Sequence, residues 1–304
     1  MDDVIVIGAG MAGMTAALNC LRNGKTVRIF EGEAVGGQIA NSPKVENLPS
    51  INEISGLELA DKTFEQISEK GVEIEYDKVT SIQKEGDEFV VKTDYDEFRS
   101  HAVIAAVGVK HKHIGAEGEQ KYLGKGVYYC ALCDGHFYKD REVALIGDGN
   151  TAMQYALLLC NICSKVYVLT WSDKFFGDKV LEKRLCERQN AVIMPFTSVT
   201  SFSGGEKMET VGYKNLKTGE DLKLDVPAAF VAIGQIPDNG IFKHLADVDS
   251  NGYFTVSGDV PTKTEGFFVA GDCCAKTVRQ LTTAMSDGAT AAFAACNYLD
   301  KKAF

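Results

Sequence analysis

The hydrophobic pattern at the start of the chain predicts a strand, a loop, a helix and a second strand. Residues 4–7 form a continuous apolar run, as expected of a strand buried on both faces of a parallel sheet. The glycine-rich residues 8–13 follow, and the apolar spacing of residues 14–22 indicates a helix. Residues 26–30 form the next strand, and Glu31 stands directly after it. Together they make a complete βαβ unit.

The same order recurs near the middle of the chain. Residues 142–146 read as a strand, 147–152 as a second glycine loop, 153–163 as a helix and 165–169 as a strand. The spacing agrees with the first unit although the two segments have little identity. This duplication predicts an α/β protein with two Rossmann-like, three-layer (ββα) nucleotide-binding domains.

The remaining apolar segments are short and fit further strands of two sheets. A long alanine-rich stretch near the C-terminus, residues 283–299, indicates a final helix. The other predicted strands are residues 72–76, 81–84, 89–92, 98–106, 192–194, 209–213, 228–233 and 267–270.

Composition narrows the class of protein without naming its chemistry. A chain of 304 residues is long for a single domain, so two domains are expected. The net charge of −10 argues against nucleic acid or an anionic membrane as a partner. We find no apolar run of the roughly 18 residues that a membrane span needs. The N-terminus lacks the features of a signal peptide, so we expect a cytoplasmic protein.

The first glycine loop has the spacing of a dinucleotide-binding fingerprint. Gly8, Gly10 and Gly13 permit a tight turn, a close approach to a pyrophosphate and close packing of helix on strand. The start of the following helix stabilises phosphate charge. Glu31 stands where a carboxylate accepts hydrogen bonds from ribose hydroxyls.

The second glycine loop lacks the side chains that recognise a pyridine nucleotide. At the position equivalent to Glu31 stands Thr170, followed by Trp171 and Ser172, so neither an acid for NAD nor an arginine for NADP is present. Asp148 also brings a negative charge into the loop itself. The alternative is that a nicotinamide cofactor still binds through other groups, because the glycine frame survives.

Cys130-Ala-Leu-Cys133-Asp134, just ahead of the second loop, is the strongest chemical signal in the sequence. Two thiols in this spacing form and break a disulfide easily, and one of them often has a depressed pKa. Asp134 could exchange the proton. A zinc site would need two more ligands, and apart from His136 no suitable ligand follows, so we expect no metal.

The other seven cysteines carry weaker signals. Cys160 and Cys163 form a second Cys-x-x-Cys, for which packing against the sheet is the favoured interpretation over redox chemistry. Cys273 and Cys274 follow the Gly271-Asp272 turn and are expected near the cofactor. His111 and His113 fall in an interdomain segment and are expected to be solvated. The cysteines in helical patterns, expected to be structural, are Cys20, Cys186 and Cys296.

In combination these motifs resemble the low-molecular-weight thioredoxin reductases, essentially from end to end. Several motifs in the family's order make the resemblance specific. They are residues 8–13, Gly36-Gly37-Gln38, Glu46-Asn47, Cys130-Ala-Leu-Cys133-Asp134, residues 147–152, Ala232-Ile233-Gly234, Gly271-Asp272 and Arg279-Gln280.

The resemblance implies a discontinuous FAD domain, residues 1–110 and 242–304, and an inserted domain, residues 111–241, that carries the dithiol. In the family, the second thiol receives the flavin's electrons and the first attacks thioredoxin, which implies Cys133 and Cys130 for these tasks and Asp134 as acid–base. Homodimers are usual in the family, so the resemblance also implies a homodimer here. The residues implied to bind FAD are Gly8, Gly10, Ala12, Gly13, Glu31, Gly37, Gln38, Asn47, Val79, Gly108, Gly271, Asp272, Arg279 and Gln280.

The chain departs from the NADPH-using members in one region. Those members carry Gly-Gly-Gly-x-x-Ala and then His-Arg-Arg-x-x-x-Arg, whereas this chain has Asp148, then Thr170-Trp171-Ser172, and Phe176 in the last place. This profile resembles the ferredoxin-dependent flavin thioredoxin reductases of anaerobes. The resemblance therefore implies ferredoxin as electron donor. An NADPH-dependent reductase with unusual recognition residues and a flavin redox sensor without turnover are the alternatives.

Overall fold

A computed structural model of the chain describes residues 1–42 and 45–302. The helices are α1 (Met11–Arg22), α2 (Gly56–Ser68), α3 (Ala131–Asp134), α4 (Asn150–Cys160), α5 (Lys179–Cys186) and α6 (Leu281–Lys302). The strands are β1 (Asp2–Ile7), β2 (Val27–Phe30), β3 (Glu73–Glu75), β4 (Ser81–Glu85), β5 (Glu88–Lys92), β6 (Glu97–Ala105), β7 (Val109–His111), β8 (Val127–Tyr128), β9 (Glu142–Ile146), β10 (Lys165–Leu169), β11 (Ala191–Met194), β12 (Thr197–Gly204), β13 (Met208–Asn215), β14 (Asp221–Asp225), β15 (Ala229–Val231), β16 (Gln235–Pro237) and β17 (Phe267–Val269).

The chain divides into two compact units, one of residues 1–110 and 236–304 and the other of residues 111–235. The two connecting segments pair with each other as the short strands β7 and β16. The second unit ends at residue 235, and the chain returns to the first unit at residue 236. This boundary lies earlier in the chain than the predicted boundary between residues 241 and 242. Residues 303 and 304 of the predicted FAD domain lie outside the described residues.

The first unit is built on a sheet of seven strands in the order β3-β2-β1-β6-β5-β4, with β17 also paired to β6. Strand β1 runs parallel to both of its neighbours, and its side chains alternate between two apolar cores. Val4 and Val6 pack on the side of α1 and α6, whereas Ile5 and Ile7 pack with the aromatic rings of the opposite face. Burial on both faces is why this strand is apolar from Val4 to Ile7, after the two partly exposed aspartates that begin it.

The second unit also has a parallel sheet and adds a separate antiparallel sheet. Its parallel sheet has the order β11-β10-β9-β15-β8, and a separate antiparallel sheet has the order β12-β13-β14. Val143 and Leu145 of β9 face α4, and Ala144 and Ile146 pack with residues of β12 and β13. The result is the helix, parallel sheet and antiparallel sheet of the predicted three-layer arrangement, and the α/β fold class is confirmed.

Some element boundaries differ from the sequence expectation. Helix α4 begins after the N-cap Gly149 and ends at Cys160, so Cys163 lies beyond it instead of in its last turn. Helix α2 is absent from the prediction, although Ser55 accepts a hydrogen bond from the Glu58 amide at 3.1 Å. This is one of the two hydrogen bonds of a capping box, the bond from the backbone amide of the third helical residue to the side chain of the N-cap residue. The Ser-x-x-Glu spacing of this signal is present in the sequence.

Among the described residues, no helix combines the length and apolar character that crossing a bilayer requires.

Candidate functional site

The first glycine loop, residues 8–13, has the glycines that its backbone path requires. Gly8 has φ +105°, and a Cβ added there would lie 2.4 Å from the Ala106 carbonyl oxygen. A Cβ at Gly13 would lie 1.9 Å from the Gly8 oxygen. These two glycines are therefore needed for the fold of the loop itself.

Gly10 is different, because the protein leaves its Cβ position empty. The nearest heavy atom to an added Cβ is the Gly36 oxygen at 4.0 Å. Gly10 is also the N-cap of α1 and offers no side-chain acceptor to the first turn. An uncapped helix start beside empty space is suited to a phosphate group.

Glu31 is joined to this loop. One carboxylate oxygen accepts from the Ala9 amide at 2.8 Å, and the other accepts from the Glu33 amide at 2.8 Å. A carboxylate has about four acceptor positions, so it retains capacity for two ribose hydroxyls. The structure thus places Glu31 at the loop, where the sequence predicted it.

The segment around Gly37 lies against the same loop. Gly10 and Gly36 form an isolated parallel bridge, and a Cβ at Gly37 would contact the Gly10 Cα at 3.3 Å. The Gln38 side-chain amide donates to the Val109 carbonyl. Gly37 and Gln38 are therefore brought together with the loop.

Buried polar atoms without a hydrogen bond mark the other end of this first-unit site, although Asp272 Oδ1 lies 3.8 Å from the Lys276 ammonium. The Gln280 side-chain oxygen accepts from the Asn47 amide at 3.0 Å, yet Gln280 Nε2 has no hydrogen-bond partner among the described residues. Asp272 Oδ1 is likewise buried without a hydrogen bond, and burial raises the pKa of this carboxyl. Such groups are costly unless a ligand satisfies them, so they fit a cofactor with polar edges.

Arg279 shapes this end of the site through the backbone. Its guanidinium donates to the carbonyls of Asp272 at 3.2 Å, Lys276 at 3.1 Å and Cys274 at 3.2 Å. It also lies 4.4 Å from the ring centre of Tyr253. In the structure, Arg279 fixes the backbone of the loop that carries Asp272. Direct contact of Arg279 with a cofactor stays a prediction.

The structure places three more of the predicted cofactor residues in the same unit, and their contact with a cofactor stays a prediction. Val79 is buried in the apolar cluster of the sheet's second face. Gly108 has φ +62° with no atom within 4 Å of an added Cβ. Ala12 is packed so closely that a Cβ at Gly271 would come within 2.9 Å of its methyl group.

Asp287 of α6 also belongs to this site and was not among the residues predicted from the sequence. Its carboxylate accepts from the Gly271 amide at 3.0 Å and also pairs with Lys276. It therefore fixes the turn that carries Asp272. The available signal was an acid beside Gly288 in an otherwise alanine-rich helix.

In the second unit, Cys130 and Cys133 are joined as a disulfide with 5.3 Å between their Cα atoms. Cys130 directly precedes the short helix α3, and its sulfur accepts from the Cys133 amide at 3.1 Å. Asp134 ends that helix and is buried, and burial raises the pKa of its carboxyl to about 7. Its Oδ1 has no hydrogen-bond partner among the described residues. A carboxyl with this pKa exchanges protons near neutral pH.

The second glycine loop keeps its frame but presents apolar side chains. Gly147 has φ +141°, and an added Cβ would lie 2.4 Å from the Ala232 oxygen. The Phe176 amide donates to the Asp148 carbonyl at 2.8 Å. Trp171 is 64% exposed and Phe176 is 67% exposed. An exposed tryptophan and an exposed phenylalanine thus stand at two of the places where NADPH-using members carry arginine.

The structure also places the residues that carried weaker signals. Cys160 and Cys163 are buried in the apolar core, and burial raises the pKa of Cys163 to about 11. Cys273 and Cys274 are fully buried. The expected solvation of His111 is wrong, because its ring stacks on Tyr129 with centroids 4.7 Å apart. In the described part of the chain, no three His, Cys, Asp or Glu side chains cluster closely enough to hold a metal ion.

Comparison with known proteins agrees with this geometry. The pyridine nucleotide-disulphide oxidoreductase family matches residues 2–288. The chain is 36% identical to the thioredoxin reductase of Treponema pallidum, covering 98% of this chain and 97% of that protein. It is 34% identical to the thioredoxin reductase of Bacillus subtilis, covering 98% and 95%.

Solved structures give the same picture. The thioredoxin reductase of Streptococcus pyogenes superposes with a TM-score of 0.95 at 35% identity, over 99% of each chain. The enzyme from Giardia duodenalis superposes with a TM-score of 0.91 at 30% identity, over 98% of this chain and 99% of that one. Reductases of this kind carry FAD, which is also the cofactor of this protein. The chain therefore belongs to the pyridine nucleotide-disulphide oxidoreductase family and, within it, to the low-molecular-weight thioredoxin reductases.

Proposed function

We propose that this protein reduces the disulfide of a thioredoxin through Cys130 and Cys133, using electrons delivered through FAD. The observation that carries the proposal is the Cys130–Cys133 disulfide beside a buried carboxyl whose pKa is about 7. The relatives named thioredoxin reductase support the choice of substrate.

The first unit supplies the residues that would hold FAD. The pyrophosphate would lie at the start of α1 over Gly10, and the ribose would reach Glu31. The unsatisfied atoms of Asp272 and Gln280 would bind the polar edge of the flavin end. When bound, FAD would accept electrons singly or in pairs and supply a pair to a disulfide.

Replacing Gly10 by Ala tests this placement. The new methyl group fits the protein, because its nearest neighbour is 4.0 Å away, but it fills the space proposed for the pyrophosphate. Overpacking of this kind costs roughly 1–3 kcal/mol of binding free energy, so we expect the affinity for FAD to fall by about tenfold or more. Titration of the apoprotein with FAD measures it.

The matched control is Gly149→Ala. Gly149 is the N-cap of α4, and no atom of the described residues lies within 4 Å of its Cβ position. This variant is expected to bind FAD like the wild type. Equal FAD affinity in the Gly10 variant and the wild type would refute the placement.

The reduced dithiol carries out the exchange with the partner protein. The Cys130 thiolate attacks one sulfur of the partner disulfide, forming a mixed disulfide and releasing the other partner sulfur as a thiolate. The Cys133 thiolate then attacks Cys130 Sγ, which re-forms the internal disulfide and releases the second partner thiolate. Two electrons pass to the partner, and two protons are needed to leave both of its thiolates neutral.

Asp134 is suited to supply a proton in this exchange. Its burial keeps about half of the carboxyls protonated near pH 7, which is the condition for an efficient general acid. Protonating the departing thiolate makes it a better leaving group.

Cys130→Ser tests the assignment of the nucleophile. We expect a flavin that can still be reduced, together with a loss of thioredoxin turnover of about a thousandfold or more, since a hydroxyl cannot replace the thiolate. Anaerobic spectroscopy and a thioredoxin-coupled assay measure the two properties. Cys163→Ser, at a buried thiol in the core, is the control and should keep most of the turnover. Undiminished turnover in Cys130→Ser would show that another group attacks.

Asp134→Asn tests the proton donor through the pH profile. A donor is active when protonated, so the wild-type rate of disulfide exchange should fall as pH rises through about 7. In the variant, this fall should disappear and the rate below pH 7 should drop by about 10²–10⁴-fold. An unchanged pH profile in the variant would exclude Asp134 from proton transfer.

We propose reduced ferredoxin as the electron donor. The supporting observation is the composition of the second glycine loop's surroundings, where Trp171 and Phe176 are exposed and Thr170 donates to the Ser172 carbonyl at 2.7 Å. The 2′-phosphate of NADPH would find no arginine at these positions. Each missing charge-assisted pair is worth about 1.5–3 kcal/mol, so NADPH affinity would be several orders of magnitude lower.

An NADPH-dependent reductase is the second candidate, and one feature favours it. The glycine frame of the second loop is intact, with Gly147 in its required conformation and open space at Gly149. A pyrophosphate could therefore still approach the start of α4.

Anaerobic mixing distinguishes the donors. We expect the flavin absorbance to bleach with reduced ferredoxin and to stay unchanged with a large excess of NADPH. The triple variant Trp171→Arg, Ser172→Arg and Phe176→Arg should gain NADPH affinity by at least about tenfold per productive arginine. A triple variant with Gln at the same positions controls for the loss of the aromatic rings. Rapid bleaching of the wild type by NADPH would defeat the ferredoxin proposal.

The homodimer and the cytoplasmic location stay predictions from the sequence. A flavin sensor without turnover is the remaining alternative, and a failure of the reduced protein to reduce any thioredoxin would favour it.

A further inference from the structure

Tyr129, the residue before the nucleophilic cysteine, is the centre of a polar and aromatic cluster that has no role in the proposed exchange reaction. The Tyr129 hydroxyl donates to Glu119 Oε1 at 2.6 Å and lies 2.7 Å from His113 Nδ1. Its ring stacks on His111 at 4.7 Å and meets the edge of His113 at 5.6 Å. These side chains, all in the second unit, surround Tyr129 with polar and aromatic partners.

Glu119 anchors the cluster in a fixed position. It is only 3% exposed, and its two oxygens also accept from the Ile114 amide at 3.1 Å and the Gly115 amide at 2.9 Å. A buried carboxylate with this many donors is held in a single geometry. When the Tyr129 hydroxyl donates its one proton to Glu119, the Tyr129 oxygen accepts from His113 in the tautomer that carries the proton on Nδ1.

His111 fixes the other side of the ring. It ends β7, the strand that pairs with β16 where the chain enters and leaves the second unit. Burial, together with the charge of His113, lowers the pKa of His111 to about 4. The stack on Tyr129 therefore involves a neutral imidazole at physiological pH.

Tyr129 is joined by a single peptide bond to Cys130, so whatever immobilises its side chain restricts the backbone that carries the sulfur. We propose that Tyr129 is a positioning residue that holds Cys130 where it closes a disulfide with Cys133, with Glu119, His113 and His111 as its anchors. Fixing one sulfur in place lowers the conformational entropy that ring closure costs, and so raises the effective concentration of one thiol at the other.

The consequence is a shift in the dithiol–disulfide equilibrium. In exchange with dithiothreitol, the Cys130–Cys133 bond breaks, two thiols form, and dithiothreitol is oxidised to its cyclic disulfide. Releasing Cys130 stabilises the open dithiol relative to the closed disulfide. This inference does not depend on the identity of the electron donor or of the substrate, since exchange of the Cys130–Cys133 pair with dithiothreitol requires neither ferredoxin nor thioredoxin.

The experiment equilibrates full-length, FAD-loaded protein with defined ratios of reduced and oxidised dithiothreitol. Thiols are then trapped by alkylation, and the fraction of Cys130–Cys133 disulfide is measured by peptide mass. Tyr129→Phe keeps the stacked ring and loses only the hydroxyl contacts. We expect its equilibrium to move toward the dithiol by about threefold, and that of Tyr129→Ala by about tenfold, in line with the loss of one hydrogen bond and then of the whole anchor.

Tyr122→Phe is the matched control. Tyr122 is a buried tyrosine of the same unit whose hydroxyl donates to the Gly204 carbonyl at 2.7 Å, outside this cluster. It should leave the equilibrium unchanged even if it lowers the unfolding temperature. The proposal is overturned if Tyr129→Phe matches the wild type, or if Tyr122→Phe shifts the equilibrium as much. Tyr129→Phe decides the question even where Tyr129→Ala does not fold.

Discussion

Both units depend on one steric constraint, the absence of room for a side chain where a strand turns into its glycine loop. A Cβ at Gly8 would lie 2.4 Å from the Ala106 oxygen, and a Cβ at Gly147 would lie 2.4 Å from the Ala232 oxygen. In each unit the loop passes directly over the end of the neighbouring strand. Only glycine allows this close passage, and it brings the next helix to the edge of the sheet, where the first amides of the helix have no intrahelical partner.

The two loops share this backbone and differ in what surrounds it. The first loop is joined by Glu31 and the Gly37 segment, and unsatisfied polar atoms of Asp272 and Gln280 lie in the same unit. Around the second loop stand Trp171 and Phe176, which offer no charge to a phosphate. The glycine frame packs helix on strand in both units, whereas ligand recognition depends on the side chains around it, and at the second loop Trp171 and Phe176 are exposed.

Much of the fold was predictable because its signals are local. Strands β9 and β10 have their predicted bounds, and β1 was recognised from an apolar run that burial on both faces requires. Strand β14 escaped prediction, because its two leucines alternate with charged residues over only five positions and most of the strand lies on the surface. Helix α2 was absent from the prediction although its start signal is local, because Ser55 accepts from the Glu58 amide three residues later.

The sequence by itself determined the duplicated architecture, the glycine loops and the dithiol, because each depends on residue types at fixed short spacing. Tertiary structure decided the state of the side chains within that frame. The pKa of Asp134 depends on burial. The Arg279 guanidinium donates its hydrogen bonds to carbonyls of its own loop, and the His111 ring stacks on Tyr129 instead of lying in solvent. These properties arise from neighbours distant in the chain, and only the packing of the folded protein brings such neighbours together.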